Sequence, residues 1–104
     1  MVVHTRKISL EHNVVQSKGN IVSDMDGEKV MLNVQKGNYY NLGEIGGEIW
    51  ELIEKPIIIN QLVTMLVSNY DIERKDCEEQ VLSFLECLFQ EGLIQIKDRP
   101  KIDS

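Results

Sequence analysis

The chain has 104 residues, 42% of them hydrophobic and 27% charged, which is typical of one small globular domain and excludes both wholesale disorder and a membrane span. Seventeen acidic against eleven basic residues give a net charge of −6. Because affinity for nucleic acid depends on Lys and Arg displacing counterions, we expect peptides or proteins as partners, and neither nucleic acid nor membrane.

Residues 1–18 show little periodicity beyond the pair Val14-Val15, so we expect a loosely ordered lead-in, with regular structure beginning near Asn20. The N-terminal stretch MVVHTRKISLEH has no continuous apolar run, which argues against a signal peptide and favours a cytoplasmic location. A single domain is expected over 19–96, followed by a flexible tail over 97–104 that contains Pro100.

Three short strands are predicted between Asn20 and Leu42. Alternation over residues 21–25 and 30–34 flanks the hairpin signal Asp26-Gly27. A second turn at Gly37 leads to a third strand, Tyr39–Leu42. The pattern therefore predicts a three-stranded antiparallel meander whose outer strands are both edges.

Three helices are predicted after the meander. The first runs from about Glu44 to Glu54, opened by glycines that permit the bend from strand to helix and closed by Pro56. The second, through about Asn69, follows a short extended connector at 57–59 and has Asn60 as its expected N-cap.

The third helix is the longest. It is predicted from Arg74 or Lys75 to Glu91, and Gly92 is expected to be its left-handed C-terminal residue. Residues 93–96 favour one more short strand. The predicted fold class is α+β, a three-stranded antiparallel β-meander followed by a three-helix winged helix-turn-helix-like bundle.

The sequence contains no motif that predicts catalysis, a cofactor or a metal site. His4 and His12 lie in the lead-in without other ligands at metal-binding spacing. The glycines of residues 43–47 lack the GxGxxG spacing and a following Lys-Ser or Lys-Thr. Cys77 and Cys87 fall on different faces of one helix and are expected to be free thiols. We therefore predict that the chain is not an enzyme.

The third helix has an unusually wide apolar arc. Leu82 and Phe89 extend its core face by about 60° beyond Leu85, bordered by Glu78, Glu79 and Glu86. One interpretation is that the whole arc is covered core. The other is that this flank forms one wall of a groove whose second wall is the open edge of the third strand, where a peptide adds as a further strand. Leu82→Glu would then weaken peptide binding.

The chain resembles PqqD-like proteins, the small precursor-recognition elements of ribosomally made, modified peptides. The resemblance runs from about Ile21 to Ile94 and is closest to the stand-alone members of lasso-peptide pathways. It rests on Asp26-Gly27, Gly37, Tyr39-Tyr40, Leu42, Ile49-Trp50-Glu51-Leu52, Leu62 to Leu66, Tyr70-Asp71, Val81, Phe84-Leu85, Leu88 and Gly92-Leu93-Ile94. The chain departs from the family pattern at three positions that shape turns: Gly43 stands where asparagine is common, Asn33 where aspartate is frequent and Pro56 where glycine often ends the first helix.

The resemblance implies a non-catalytic adaptor that binds the leader segment of a precursor peptide against the third strand. It also implies presentation of the precursor to a leader-removing cysteine protease and an ATP-dependent macrocyclase. The implied leader contacts are Asn38, Tyr39, Tyr40 and Asn41 on the strand and Glu79, Leu82, Ser83, Glu86 and Phe89 on the third helix.

Two alternatives stay open on the sequence alone. The order of helices and strand is also that of a winged-helix DNA-binding regulator, although its third helix would bring an acidic surface into a phosphate-lined groove. The same groove would also suit a small regulatory subunit of an enzyme.

Overall fold

The computed structural model describes residues 8–26 and 28–97. Its elements, in chain order, are β1 Asn13–Gln16, β2 Asn20–Met25, β3 Glu28–Asn33, β4 Asn38–Asn41, α1 Gly43–Leu52, β5 Ile57–Ile58, α2 Ile59–Asn69, α3 Arg74–Gln90 and β6 Ile94–Lys97. This architecture confirms the predicted α+β class. None of the helices in the described ranges has the length and apolar character needed to cross a membrane.

The meander is a three-stranded antiparallel sheet in the order β2-β3-β4. Ile21 pairs with Leu32 across β2 and β3, and Leu32 pairs with Tyr39 across β3 and β4. The first hairpin turns at Asp26, whose φ of +58° is left-handed, as a tight primed turn requires. Gly27, the second residue of the predicted hairpin signal, lies outside the described residues. The predicted meander is confirmed, with β2 and β4 as its edges.

A second sheet, in the order β5-β1-β6, corrects two expectations from the sequence. Regular structure begins at Asn13 rather than near Asn20, and Val14 is fully buried where β1 pairs with both neighbours. Residues 57–58, within the segment expected to be a short extended connector, form the short strand β5 against β1. Both errors arise because the partners of β1 lie far away in the chain. The domain boundaries at residues 18 and 96 stay a prediction.

The helices lie close to their predicted bounds. The expected N-cap of α2 is wrong, because α2 begins at Ile59 after Ile58 and no side chain caps it. Backbone carbonyls of the N-terminal segment cap the helix instead. The Ile59 N–H donates to the His12 carbonyl at 3.0 Å, and the Asn60 N–H donates to the Leu10 carbonyl at 2.9 Å. Gly92 has a φ of +79°, which confirms its predicted C-terminal role after α3.

The core lies between the helices and the inner face of the meander. It contains Ile49, Trp50 and Ile53 from α1, Leu62, Val63 and Leu66 from α2, and Cys77, Val81, Leu85 and Leu88 from α3, together with Ile8, Val14, Met31, Leu42, Ile59, Leu93 and Ile94. From β3 the buried residues are Met31 and Asn33, whereas Val30 and Leu32 occupy the opposite face and are only half-buried. The meander therefore has an outer face that the core does not cover.

Close packing brings α1 onto β3. An added Cβ on Gly47 would lie 2.7 Å from Cγ and Cδ of Lys29, so only glycine fits against the methylenes of that lysine. The Lys29 ammonium group forms an ion pair with the Glu51 carboxylate at 2.6 Å. This contact holds the meander, and with it β4, against the helical layer.

Candidate functional site

The open edge of β4 is the first part of the candidate site. The Leu42 N–H donates to the Lys29 carbonyl at 2.8 Å, and bonds in an antiparallel pair alternate residue by residue. The main-chain groups of Asn38 and Tyr40 therefore point to β3. Those of Tyr39 and Asn41 point away from it, so this edge presents two N–H and two C=O groups to an added strand.

Side chains on β4 alternate in the complementary way. Tyr39 is 72% exposed and lies on the outer face of the meander. Tyr40 is half-buried on the inner face and packs against the core. Asn41 donates through Nδ2 to Oε1 of Glu28 at 2.9 Å, and its Oδ1 accepts from the Gly43 N–H at 3.1 Å, which ties the end of the strand to the start of α1.

Two clefts lie along α3, one between α3 and α1 and the other between α3 and β4. The first, the apolar cleft, has a volume of about 170 Å³ and is formed by α1, α3 and the residues just after β4 and α2. It is lined by Leu42, Ile45, Gly46, Ile49, Ile72, Cys77, Gln80, Val81 and Phe84. Only Gln80 brings a strongly polar side chain, so this cleft suits an apolar group.

The second, the polar cleft, is larger, with a volume of about 420 Å³. Its lining comes directly from β4 and the C-terminal half of α3, namely Asn38, Tyr39, Tyr40, Cys87, Leu88, Gln90 and Glu91. Phenol, amide and carboxylate groups thus surround a single buried leucine. Leu42, which lines the apolar cleft, directly follows β4, so the apolar cleft lies near the C-terminal end of β4 and the polar cleft near its N-terminal end.

Glu91 links the meander to the end of α3. Its Oε1 accepts from the Tyr40 hydroxyl at 3.1 Å, and its carbonyl accepts from Nζ of Lys36 at 2.9 Å. Asn38 Nδ2 donates to the same hydroxyl at 3.4 Å. These exposed bonds are individually weak, but together they fix the spacing between β4 and α3 at the polar cleft.

Of the residues predicted on β4, Asn38, Tyr39 and Tyr40 line the polar cleft, and Asn41 contributes its main-chain edge groups. The residues predicted on α3 are differently placed. None of Glu79, Leu82, Ser83, Glu86 and Phe89, all within the described ranges, lines either cleft. Leu82 and Phe89 are half-buried and pack against the core. Their role in leader binding stays a prediction.

The helical geometry explains this separation. Leu82 and Phe84 are two residues apart and so project about 160° apart around α3. The clefts are on the Phe84 side, along a stripe of Gln80, Phe84, Cys87 and Glu91. These residues recur every three or four positions beside the core face, which is the only sequence signal for the stripe. Helical-wheel reasoning missed it because residues 80, 87 and 91 are polar.

The apolar cleft depends on a glycine in α1. An added Cβ on Gly46 would lie 3.0 Å from Cζ and 3.1 Å from Cε1 of Phe84. The ring therefore rests directly on the α1 backbone, and a larger residue would push it into the cleft. Gly46 and Gly47 are buried within α1, so of the three glycines only Gly43, with a φ of +74°, serves the bend itself.

Burial raises the pKa of the Cys77 thiol, while Cys87 is exposed, and neither forms a disulfide. Within the described residues, no three His, Cys, Asp or Glu side chains come close enough together to hold a metal ion. The arrangement offers an open strand edge and two side-chain clefts, which is the geometry of a peptide-binding surface.

Comparisons with known proteins agree with this geometry. The family model described as coenzyme PQQ synthesis protein D (PqqD) matches residues 28–94. A solved structure of TbiB1 in complex with the TbiA(beta) leader peptide is 27% identical, with a TM-score of 0.69 over 78% of this chain and 94% of that one. A lasso peptide synthetase B1 complexed with the leader peptide shares the fold, at 20% identity and a TM-score of 0.64 over 79% and 96% of the two chains. The comparison with curated proteins found no match.

Proposed function

Because the chain belongs to the PqqD family, we propose that it is a non-catalytic adaptor that binds the leader segment of a ribosomal precursor peptide by strand addition to β4. The observation that carries the proposal is the open β4 edge, with a side-chain cleft at each end, in a fold shared with a leader-peptide complex. In the proposed complex the leader is the fourth strand of the meander.

Main-chain bonds fix the register of the leader. Tyr39 and Asn41 each offer one N–H and one C=O, and such bonds contribute about 0.5 to 1.5 kcal/mol each. Two buried apolar leader side chains add about 1.5 to 3 kcal/mol each. After the cost of ordering a flexible peptide, these contributions support an affinity of roughly micromolar.

The two clefts give the leader its side-chain preference. Alternate leader residues point toward α3, where the apolar cleft takes an aliphatic or aromatic side chain against Phe84. The polar cleft takes a side chain able to bond with the amide, phenol and carboxylate groups of Asn38, Tyr40 and Glu91. On this account Phe84 is the main apolar contact on α3, and the sequence-predicted Leu82 is the competing candidate.

The bound precursor is then presented to processing enzymes. We assign these as a leader-removing cysteine protease and an ATP-dependent macrocyclase of a lasso-peptide pathway. The adaptor itself holds the leader while the chemistry takes place on other proteins. Its cellular location on this proposal is the cytoplasm, where the precursor is made.

A binding titration with synthetic leader peptides tests the proposal. The probe is the N-terminal part of a short precursor peptide, sought among the open reading frames that neighbour this gene, and its binding is measured by calorimetry. Peptides N-methylated at single positions remove one main-chain donor each. Strand addition predicts saturable binding that weakens at every second position, because only alternate N–H groups face β4. Absence of saturable binding, or a scan without a period of two, contradicts the proposal.

Two variants of α3 locate the apolar contact. Phe84→Ser should weaken leader binding several-fold while Leu82→Glu retains it, with thermal unfolding confirming that both remain folded. Met65→Ser is the matched control, because Met65 is 41% exposed on α2, a helix with no residue in the lining of either cleft. If Leu82→Glu weakens leader binding more than Phe84→Ser does, the apolar contact lies on the Leu82 side of α3, as predicted from the sequence.

A further inference from the structure

Two consecutive glycines, Gly46 and Gly47, lie inside α1, and packing alone explains only the second. Glycine weakens a helix interior relative to alanine, so each glycine there calls for a physical reason. An added Cβ on Gly47 would meet Cβ, Cγ and Cδ of Lys29 at 2.7 to 3.0 Å. These atoms form the base of a side chain whose ammonium group is paired with Glu51, so no Cβ fits there without disturbing the α1–β3 contact.

The neighbour of Gly46 can yield more easily. An added Cβ there would lie 3.0 Å from Cζ and 3.1 Å from Cε1 of Phe84, and 3.4 Å from Cβ of Leu42. The two closest atoms belong to the far end of a ring that is only partly buried, and a shift of a few tenths of an ångström relieves the contact. The fold therefore tolerates alanine at this position, and the change falls on the apolar cleft, which all three residues line.

A side chain in place of Gly46 would reduce the apolar cleft. The methyl group of alanine would lie at its wall, and the displaced Phe84 ring would take up part of its volume of about 170 Å³. The cleft cannot recover this space elsewhere, because Ile49, Cys77 and Val81 in its lining are buried in the close-packed core. Glycine at position 46 thus keeps the cleft at its full size.

We propose that Gly46 sets the size of the leader side chain that the apolar cleft accepts, a proposal that rests on the proposed function. The volume of the cleft is more than about ten times the space that one water molecule requires. With glycine at position 46, the cleft takes a side chain of the size of leucine or phenylalanine in preference to alanine. Gly46 acts through the Phe84 ring, so it is a positioning residue that decides which leaders bind.

The test measures affinities for synthetic leader peptides by calorimetry. The leader position that occupies the apolar cleft is identified first, as the one whose truncation to alanine weakens binding to the wild type but not to Phe84→Ser. Peptides with alanine, valine, leucine or phenylalanine at that position are then compared, and the leucine-to-alanine affinity ratio is the readout. Gly47→Ala is the matched control for Gly46→Ala, because it makes the same change at a neighbouring glycine that does not line the cleft.

The wild type should prefer the leucine peptide by about tenfold or more, because each buried CH₂ group raises affinity by about fourfold. Gly46→Ala should lower this ratio by about fourfold or more and bind the alanine peptide within about twofold of the wild type. Gly47→Ala should keep the wild-type ratio. In a Phe84→Leu background, Gly46→Ala should have little effect on the ratio, because no ring is present to be displaced.

An unchanged ratio in Gly46→Ala would overturn the inference. So would an equal fall in Gly47→Ala, or an equal fall from Gly46→Ala in the Phe84→Leu background. Thermal unfolding should show that Gly46→Ala is at least as stable as the wild type, and loss of the fold would contradict the premise that the ring yields. A wild type that binds leader without a leucine preference at any position would also overturn the inference, whereas failure to bind leader would overturn the proposed function.

Discussion

Replacing Gly47 by alanine tests how α1 is held on the meander. The added Cβ would lie 2.7 Å from Cγ and Cδ of Lys29 and 3.0 Å from its Cβ, well inside van der Waals contact. The atoms nearest the new methyl group belong to the base of the lysine side chain, which cannot swing away without breaking the 2.6 Å contact with Glu51. The substitution therefore forces a rearrangement at the α1–β3 contact.

Two opposing effects set the size of the change. Alanine is favoured over glycine inside a helix by about 1 kcal/mol, whereas overpacking costs about 1 to 3 kcal/mol. Gly47→Ala should therefore lower the free energy of unfolding by about 0 to 2 kcal/mol in the wild type. A Lys29→Ala background removes the 2.7 Å contacts with Cγ and Cδ and leaves only the 3.0 Å contact with Cβ, so there the same change should range from neutral to stabilising by about 1 kcal/mol.

Urea unfolding of the four proteins in this double-mutant cycle gives the coupling between the two positions, expected to be about 1 to 3 kcal/mol. Glu51→Gln supplies the matched control, since it removes the ion pair but leaves the Lys29 methylenes, and Gly47→Ala should stay unfavourable there. If Gly47→Ala has the same effect with and without the Lys29 side chain, the close contact does not exist in solution and the reasoning fails.

Three further predictions concern the rest of the molecule. A hydrogen bond to Glu48 raises the pKa of Tyr70 above its ordinary 10.0, so this pair stabilises the fold fully below about pH 10 and its contribution is lost as pH rises through the folded-state pKa. In an ultraviolet titration, Glu48→Gln should therefore show one tyrosine that ionises at a lower pH than in the wild type. An unchanged titration curve would rule out the bond. A thiol reagent should label the exposed Cys87 in the folded protein and Cys77 only on unfolding, and bound leader should slow the labelling of Cys87, which lines the polar cleft. Leu85→Ala, at a fully buried position, should cost about 2 to 5 kcal/mol in chemical unfolding, and a loss below about 1 kcal/mol would mean that the site is not packed as described.

Much of the fold could be predicted from local signals. The hairpin at residues 21–34, the three helices and the role of Gly92 rest on alternation, helical spacing and turn residues, which depend only on near neighbours in the chain. β1 could not be found in this way, because the pair Val14-Val15 is too short to show alternation and its partners are residues 57–58 and 94–97. Pairing over such distances leaves no local pattern.

The candidate site divides along the same line. The open edge at residues 38–41 could be predicted, because a strand at the end of a meander must have an open edge. The flank of α3 that lines the clefts could not, because a helical wheel shows that its apolar arc is wide but not how the helix is oriented. The structure places Phe84 in the apolar cleft, and Leu82 projects about 160° away from it around the helix. The role of either residue in leader binding stays a prediction.

The departures from the family pattern now have physical explanations at two positions. Gly43 has a φ of +74°, a conformation that glycine and asparagine both tolerate, so either residue serves at the start of α1. Asn33 accepts the Lys36 N–H through Oδ1 at 2.8 Å, a bond that an aspartate would also accept. Asn33 additionally donates to Asn20 at 2.7 Å, which joins the two ends of the first hairpin. These departures preserve the turns that position β4.

Amide hydrogen exchange on β4 shows whether the leader adds to this strand. In the free protein the Tyr40 N–H bonds to β3 and should exchange slowly, whereas those of Tyr39 and Asn41 face the open edge and should exchange fast. Saturation with the cognate leader should protect Tyr39 and Asn41 by about tenfold or more, because each N–H then bonds to the added strand. Saturable binding that leaves both amides unprotected would contradict strand addition at β4 and place the leader elsewhere on the protein.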